Sequence, residues 1–136
     1  MTLNKSDLEL IALAKEIVMK NNDLYEEKNN IVGSVIKCKS GNIYKGINIK
    51  TSHSICAEQV ALGQAFACGE REIDTIVAVQ LNCDGSAGVV SPCGLCRYTF
   101  NKLNIDANVI VEDIKNNEVK KVKIVDLLLY PYKNIK

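Results

Sequence analysis

Two segments, Cys56-Ala57-Glu58 and Ser91-Pro92-Cys93-Gly94-Leu95-Cys96, constrain the fold of this chain more than any other feature. They supply three sulfur ligands for one metal ion, with a carboxylate beside it, so the chain must bring the two segments together. The first opens an apolar, alanine-rich stretch, Ile55 to Cys68, that reads as a helix packed on both sides and closed by Gly69. The second begins with Ser-Pro, a helix-entry signal, because proline suits a first helical position where no backbone donor is needed. A helix over about residues 92–103 is therefore expected. Cysteines three apart at a helix start share a face and can close on one ion.

The rest of the chain predicts the frame around these helices. Ser6-Asp7-Leu8-Glu9 has the form of a capping box, and Leu10, Leu13, Ala14, Ile17 and Val18 continue at helical spacing, predicting an amphipathic helix over about 6–21. Glu26 to Asn30 reads as a solvated loop. Ile31 to Lys39 and Ile43 to Ile49 are strands around the turn Ser40-Gly41-Asn42, a hairpin. Thr75 to Leu81 is nearly unbroken apolar sequence, as in the centre of a covered sheet. The stretch from Asn82 to Val90 reads as a loop. Ala107 to Glu112 is a strand, reached from Thr75–Leu81 by a helical crossover and so parallel to it. The short turn Lys115 to Glu118 can only lead to an antiparallel neighbour, Val119 to Ile124. Lys120, Lys121 and Lys123 on that strand read as protection of an exposed edge. A short terminal helix and tail over Asp126 to Tyr132 complete the chain. The expected fold is one α/β domain over residues 1–136, a three-layer α-β-α sandwich on a mixed five-stranded sheet.

A formal net charge of +1, with two Phe, five Tyr and no Trp, argues against a nucleic-acid partner, which wants a basic and aromatic path. No apolar run approaches the span of a bilayer, so no membrane partner is expected. Met1 to Asp7 lacks the pattern of a secretion signal, which leads to the expectation of a reducing, cytoplasmic setting. There the six cysteines would not form disulfides. Cys38, Cys68 and Cys83 are read as small buried or semi-buried side chains.

Three protein ligands on a tetrahedral zinc leave the fourth corner for water, which marks a catalytic site. Zinc lowers the pKa of bound water towards neutrality. Glu58, two residues past Cys56, can serve that water as a proton carrier without binding the metal. Three thiolates leave a zinc site with an excess negative charge, so backbone N–H···S contacts from the two helix starts are expected to offset it. The alternatives are a closed structural site, with His53, Cys68 or Cys83 as fourth ligand, and a redox Cys-x-x-C pair. The latter leaves Cys56-Ala57-Glu58 without a role.

The pairing of Cys-x-Glu with Pro-Cys-x-x-Cys is the signature of zinc deaminases. Gly41 to Asn48, Cys56 to Gly63, Val90 to Arg97 and the tail Asp126-Leu127-Leu128 carry a resemblance to the cytidine deaminase superfamily over Ile31 to Tyr132, closest to its blasticidin S deaminase branch. That resemblance implies Zn²⁺ on Cys56, Cys93 and Cys96, and Glu58 as proton shuttle. It implies Asn48 as a contact to a sugar hydroxyl, the Ser91 carbonyl as acceptor from the substrate amine, and Ala57 as a further substrate contact. The tail lacks the tryptophan of blasticidin S deaminase, which leaves Tyr130 and Tyr132 either to flank the substrate or to pack. It also implies a small-molecule nucleoside substrate and a homotetramer with shared active sites. Three departures stand out: Lys50 where nucleoside deaminases carry glutamate, Gln59 where many three-cysteine members carry arginine, and Leu95 where blasticidin S deaminase has arginine. The expected activity is hydrolytic removal of the 4-amino group of a cytosine-type nucleoside: cytidine, deoxycytidine or an analogue such as blasticidin S. The competing readings are a zinc-stabilised module without activity and a deaminase acting on a base within RNA or DNA.

Overall fold

A computed structural model describes residues 1–133. Helix α1 (Lys5–Lys20) starts two residues before the turn that Ser6 would cap. Asn4 is the cap: its side chain accepts from the Asp7 N–H while the Asp7 carboxylate accepts from the Asn4 N–H, at 2.8 and 2.9 Å. Asp7 thereby turns inward and pairs with Lys121 at 2.8 Å, a contact between chain segments far apart in sequence. This explains why Asn4 displaces Ser6, whose hydroxyl instead accepts from Lys37 Nζ.

The strands are β1 (Val32–Cys38), β2 (Ile43–Ile47), β3 (Ile73–Leu81), β4 (Ala87–Val90), β5 (Asn108–Asp113) and β6 (Glu118–Lys123). They form one mixed sheet in the order β2-β1-β3-β5-β6, with β4 also paired to β3. Among the described residues the sheet has six strands rather than five, because β4 lies within the stretch read as a loop. It pairs antiparallel with the second half of β3, from Ala78 to Leu81. The first half of β3 pairs in parallel with β5 at Thr75 and Ile76, as the crossover requires. Thus β3 passes from one neighbour to the other along the same edge. Both hairpins, β1–β2 and β5–β6, are antiparallel as expected.

Alternation along β1 and β3 splits the core into two layers. Val35, Val77 and Val79 face α1 with Leu10, Ala14 and Val18. Ile36 and Ile76 face the other side, against Ala61, Leu62 and Ala65 of α2 (Ala57–Ala67) and Phe100 of α3 (Gly94–Lys102). The sandwich therefore has α1 on one face and α2 with α3 on the other. Ala57, Ala61 and Ala65 are fully buried at helical spacing, a small-residue stripe that lets α2 lie close to the sheet. At its closest it meets Gly46 of β2, where a Cβ would stand 2.5 Å from both the Ala57 carbonyl oxygen and the Ala61 nitrogen.

Both metal-segment helices end in the same way. The N–H groups of Gly69 and Glu70 bond back to Phe66 and Ala65, and those of Asn104 and Ile105 to Asn101 and Phe100, which are paired Schellman closures. Gly69 and Asn104 take the left-handed conformation that the motif needs. Beyond β6 the chain forms a 3-10 turn, Ile124–Leu127, in place of the expected terminal α-helix. The lysines of β6 are only partly edge protection. Lys121 is partly buried against Asp7, and Lys120 pairs with Asp113 at 3.0 Å.

Candidate active site

Cys56 and Cys93 occupy equivalent places: each is the N-cap of its helix, in extended backbone conformation. Pro92 therefore precedes the cap, and α3 begins at Gly94 rather than at Pro92. Cys96 lies in the first turn of α3 and is buried, while Cys56 is half-buried and Cys93 exposed. The two capping sulfurs stand 3.5 Å apart, and all three sulfurs lie within 4.8 Å of one another. Tetrahedral zinc with Zn–S near 2.3 Å spaces its sulfurs by roughly 3.8 Å, so the trio fits such an ion with small adjustment. His53, Cys68 and Cys83 do not join the cluster among the described residues. His53 is on the exposed loop, with Nδ1 at 3.2 Å from the Ser52 hydroxyl.

The electrostatics around the sulfurs are uneven. Burial opposes ionisation of Cys93, yet N–H groups of Cys96 and Leu95 reach its sulfur and hold its pKa below the ordinary thiol value. These are the N–H···S contacts expected at a helix start. Burial, and then the contact with Cys93, push Cys56 up to about 11. Burial and the nearby Glu58 push Cys96 far upward.

Glu58 is 5% exposed, in the first turn of α2. Burial raises its carboxyl pKa, against the lowering effect of its own backbone N–H and the Cys96 thiol. A carboxyl held above its ordinary range can both release and recover a proton nearer neutral pH. Next to it, Gln59 has its amide nitrogen buried without a hydrogen-bond partner among the described residues.

A cleft of about 190 Å³ opens on this centre, walled by Val32, Asn48, Ile55, Ala57, Val90 and Ser91 together with Cys56, Glu58 and Cys93. Asn48 is held rigidly: Oδ1 accepts from the Val32 N–H at 2.9 Å, and Nδ2 donates to the Asn30 carbonyl at 2.7 Å. The Ser91 hydroxyl accepts from the Glu112 N–H and donates to the Glu112 carbonyl, both at 3.2 Å. Of the residues expected at the site, the structure gathers Asn48, Cys56, Ala57, Glu58, Ser91, Cys93 and Cys96. Tyr132 is not among them; it is 81% exposed and outside the cleft wall. Lys50 is exposed too, with its backbone N–H donating to the Tyr25 hydroxyl.

Tyr25 is a residue that sequence reasoning missed. Its hydroxyl also donates to the Asn48 carbonyl at 2.7 Å, tying the wall of the cleft to the segment after α1. The only signal was an aromatic side chain within a charged run. Arg97 closes the stretch Val90 to Arg97 that carries the resemblance, but nothing in the sequence marked a role for its side chain.

Comparison with known proteins agrees with this geometry. The family described as "Cytidine and deoxycytidylate deaminase zinc-binding region" matches residues 4–112. A blasticidin-S deaminase of Bacillus cereus is 35% identical over 96% of this chain and 94% of its own length. A cytidine deaminase of Shewanella sediminis is 39% identical over 53% of this chain, a match that takes in 23% of that longer protein. Among solved structures, cytidine deaminase from Burkholderia pseudomallei superposes with a TM-score of 0.65 at 24% identity, over 89% of this chain and 98% of that one. Cytidine deaminase from Bacillus anthracis gives 0.70 at 17% identity, over 92% and 88%. At such identities these two show the shared fold.

Proposed function

Since the chain belongs to the cytidine and deoxycytidylate deaminase family, we propose that it is a zinc-dependent hydrolase exchanging the 4-amino group of a cytosine-type nucleoside for oxygen, with release of ammonia. The observation that carries this is the convergence of Cys56, Cys93 and Cys96 beside a buried Glu58 at the floor of a cleft. Zinc held by the three sulfurs would supply the Lewis acidity that makes water a nucleophile near neutral pH.

The chain's own groups perform the rest. The Glu58 carboxylate takes a proton from water as the oxygen adds to C4 of the ring, and passes it to ring N3. A second proton, from the same oxygen, then travels through Glu58 to the amine, and the C4–N bond breaks as ammonia leaves. Glu58 ends as it began. The Ser91 carbonyl accepts from the amine, because the Ser91 hydroxyl is already engaged with Glu112. The Ala57 N–H, at the first helical position, has no intrahelical acceptor and faces a ring carbonyl. Asn48 retains one amide hydrogen and one lone pair for a sugar hydroxyl after its two backbone bonds. Val32, Ile55 and Val90 flank the base and exclude water.

Similarity along nearly the whole of the Bacillus cereus blasticidin-S deaminase supports including that class of cytosine nucleoside among the substrates. Residues 1–136 would act as one deaminase domain, in a homotetramer that covers exposed side chains such as Tyr98, Leu95 and Leu129. No helix among the described residues is long and apolar enough to cross a membrane.

The test is ammonia release and loss of cytosine absorbance across cytidine, deoxycytidine, cytosine and blasticidin S, with metal analysis of the purified protein. Glu58→Gln should retain zinc and lose activity by about two to four orders of magnitude, the range of general acid–base catalysis. Undiminished activity in that variant would refute the assignment.

A further inference from the structure

We infer that Arg97 is a positioning residue for Ser91-Pro92-Cys93, the segment that carries both one metal-site sulfur and the carbonyl facing the substrate amine. The catalytic half of this inference rests on the deaminase reading; the half concerning the sulfur rests on geometry alone. Strand β4 ends at Val90 and α3 begins at Gly94, so residues 91–93 lie outside regular structure. The helix holds only the Cys93 carbonyl, which accepts from the Arg97 N–H at 3.0 Å. Ser91 and Pro92 lie outside both ladder and helix, yet the site needs them held to a fraction of an ångström.

Three restraints replace regular structure there. The proline ring fixes φ at Pro92. The Ser91 hydroxyl clasps both backbone groups of Glu112 on β5. The third restraint is Arg97, whose Nε donates to the Pro92 carbonyl at 2.8 Å. That carbonyl belongs to the peptide that leads into Cys93, so the bond sets ψ at Pro92. Without it, this one torsion swings the Ser91 peptide relative to the sulfur of Cys93. Arg97 Nη1 also donates to the Leu127 carbonyl at 3.2 Å. Leu127 ends the 3-10 turn whose Ile124 is buried in the same core as Phe100 of α3. One guanidinium therefore ties the floor of the cleft to the C-terminal segment.

Only arginine can do both. Its planar fork presents separate donors in fixed directions, whereas a lysine ammonium is a single point at the end of a flexible stem. Both bonds are part-buried and go to neutral backbone carbonyls, so removing the guanidinium strands no buried charge. The fold therefore tolerates the loss, and the geometry of the segment does not.

The experiment compares Arg97→Gln and Arg97→Lys with the wild type, each loaded with zinc and, separately, with Co²⁺ as a spectroscopic probe. Arg97→Gln should lower kcat on cytidine by about 10- to 100-fold, the cost of misplacement near 1 Å, with little change in KM. Inhibition by uridine, which lacks the amine, should stay near the wild-type value. The cobalt–thiolate absorption should shift and Co²⁺ affinity fall by about tenfold, as for loss of a group supporting a metal ligand. Both variants should melt near the wild type, and Arg97→Lys should not recover the kcat. Wild-type kcat together with an unchanged cobalt spectrum in Arg97→Gln would overturn the inference. So would parallel rises in the KM for cytidine and the inhibition constant for uridine, which would show general loosening of the cleft. If the wild type releases no ammonia from any cytosine nucleoside, the deaminase reading fails, and the cobalt spectrum and affinity alone still decide the role of Arg97.

Discussion

Gly46→Ala should damage the metal site from the far side of a helix. A Cβ at this position would lie 2.5 Å from the Ala57 oxygen and 2.5 Å from the Ala61 nitrogen, whereas ordinary contact begins at 3.4 Å. Both obstacles are backbone atoms of α2, so no rotamer change relieves the clash. Either β2 peels from β1 or the first turn of α2 rises by about 0.9 Å, the shortfall in contact distance. The second motion carries Cys56 and Glu58 with it. If the shift is directed away from Cys93, the sulfur separation grows from 3.5 Å to about 4.4 Å, past the roughly 3.8 Å that tetrahedral zinc requires.

Overpacking of this kind costs about 1–3 kcal/mol, and two rigid obstacles place Gly46→Ala near ~2–3. With about 2.1 cal/mol/K of unfolding entropy per residue, that lowers the melting temperature of a chain this size by ~7–10 °C. A displacement near 1 Å adds a loss of about 100-fold in turnover. The assay is a thermal melt of metal-free protein, chelator competition for zinc, and turnover on cytidine. Gly63→Ala is the internal control: nothing lies within 4 Å of its Cβ position, and in mid-helix the change should stabilise by about 0.5–1 kcal/mol. A Gly46→Ala protein that melts with the wild type and binds zinc as tightly would refute the reasoning.

Lys121→Met should destabilise by about 1–3 kcal/mol, because the buried Asp7 carboxylate loses its cation and keeps only the Asn4 N–H at the helix start; chemical denaturation measures this. Tyr44 should ionise at about 12, held up first by burial and then by its hydrogen bond to Glu70. Its folded pKa is raised, so its contribution to stability is complete below the ordinary phenol range and is lost as pH rises through about 12. Phenolate absorbance, compared with Tyr44→Phe, reads this directly. Glu70→Gln should bring the value only part of the way down, since burial remains.

The two cysteine-bearing helices, both hairpins and the parallel crossover were legible in the sequence because each rests on a local rule: helical spacing, turn chemistry or crossover length. What escaped was decided over long range. Strand β4 is four residues, Ala87-Gly88-Val89-Val90, half of them small and with no strand signal of their own. It forms because β3 exposes an edge from Ala78 onward. Asn4 outcompetes Ser6 as a cap because that choice delivers Asp7 to Lys121, more than a hundred residues away. The cysteine trio, Glu58, Asn48, Ala57 and Ser91 were found by type and spacing, and the structure gathers them around one cleft. Tyr25 and Arg97 act through hydrogen bonds to backbone, which no residue pattern announces.

The same exchange of neighbours along β3 explains why Ser91 needs its hydroxyl. Once β3 has left β5 for β4, the end of β4 stands beside β5 without a ladder between them, and Val90 and Ser91 at that end line the cleft. The paired bonds from the Ser91 hydroxyl to Glu112 stitch the gap at one point. Ser91→Ala removes the stitch but keeps the carbonyl that faces the amine. Two exposed, rather long bonds are worth about 1 kcal/mol together, or ~3–4 °C in melting temperature for a chain this size. Turnover should fall with only a small rise in KM, because the carbonyl is still present but less well aimed. If the hydroxyl itself held the substrate, Ser91→Ala would instead raise KM steeply at an unchanged melting temperature, and the stitch would not be its role.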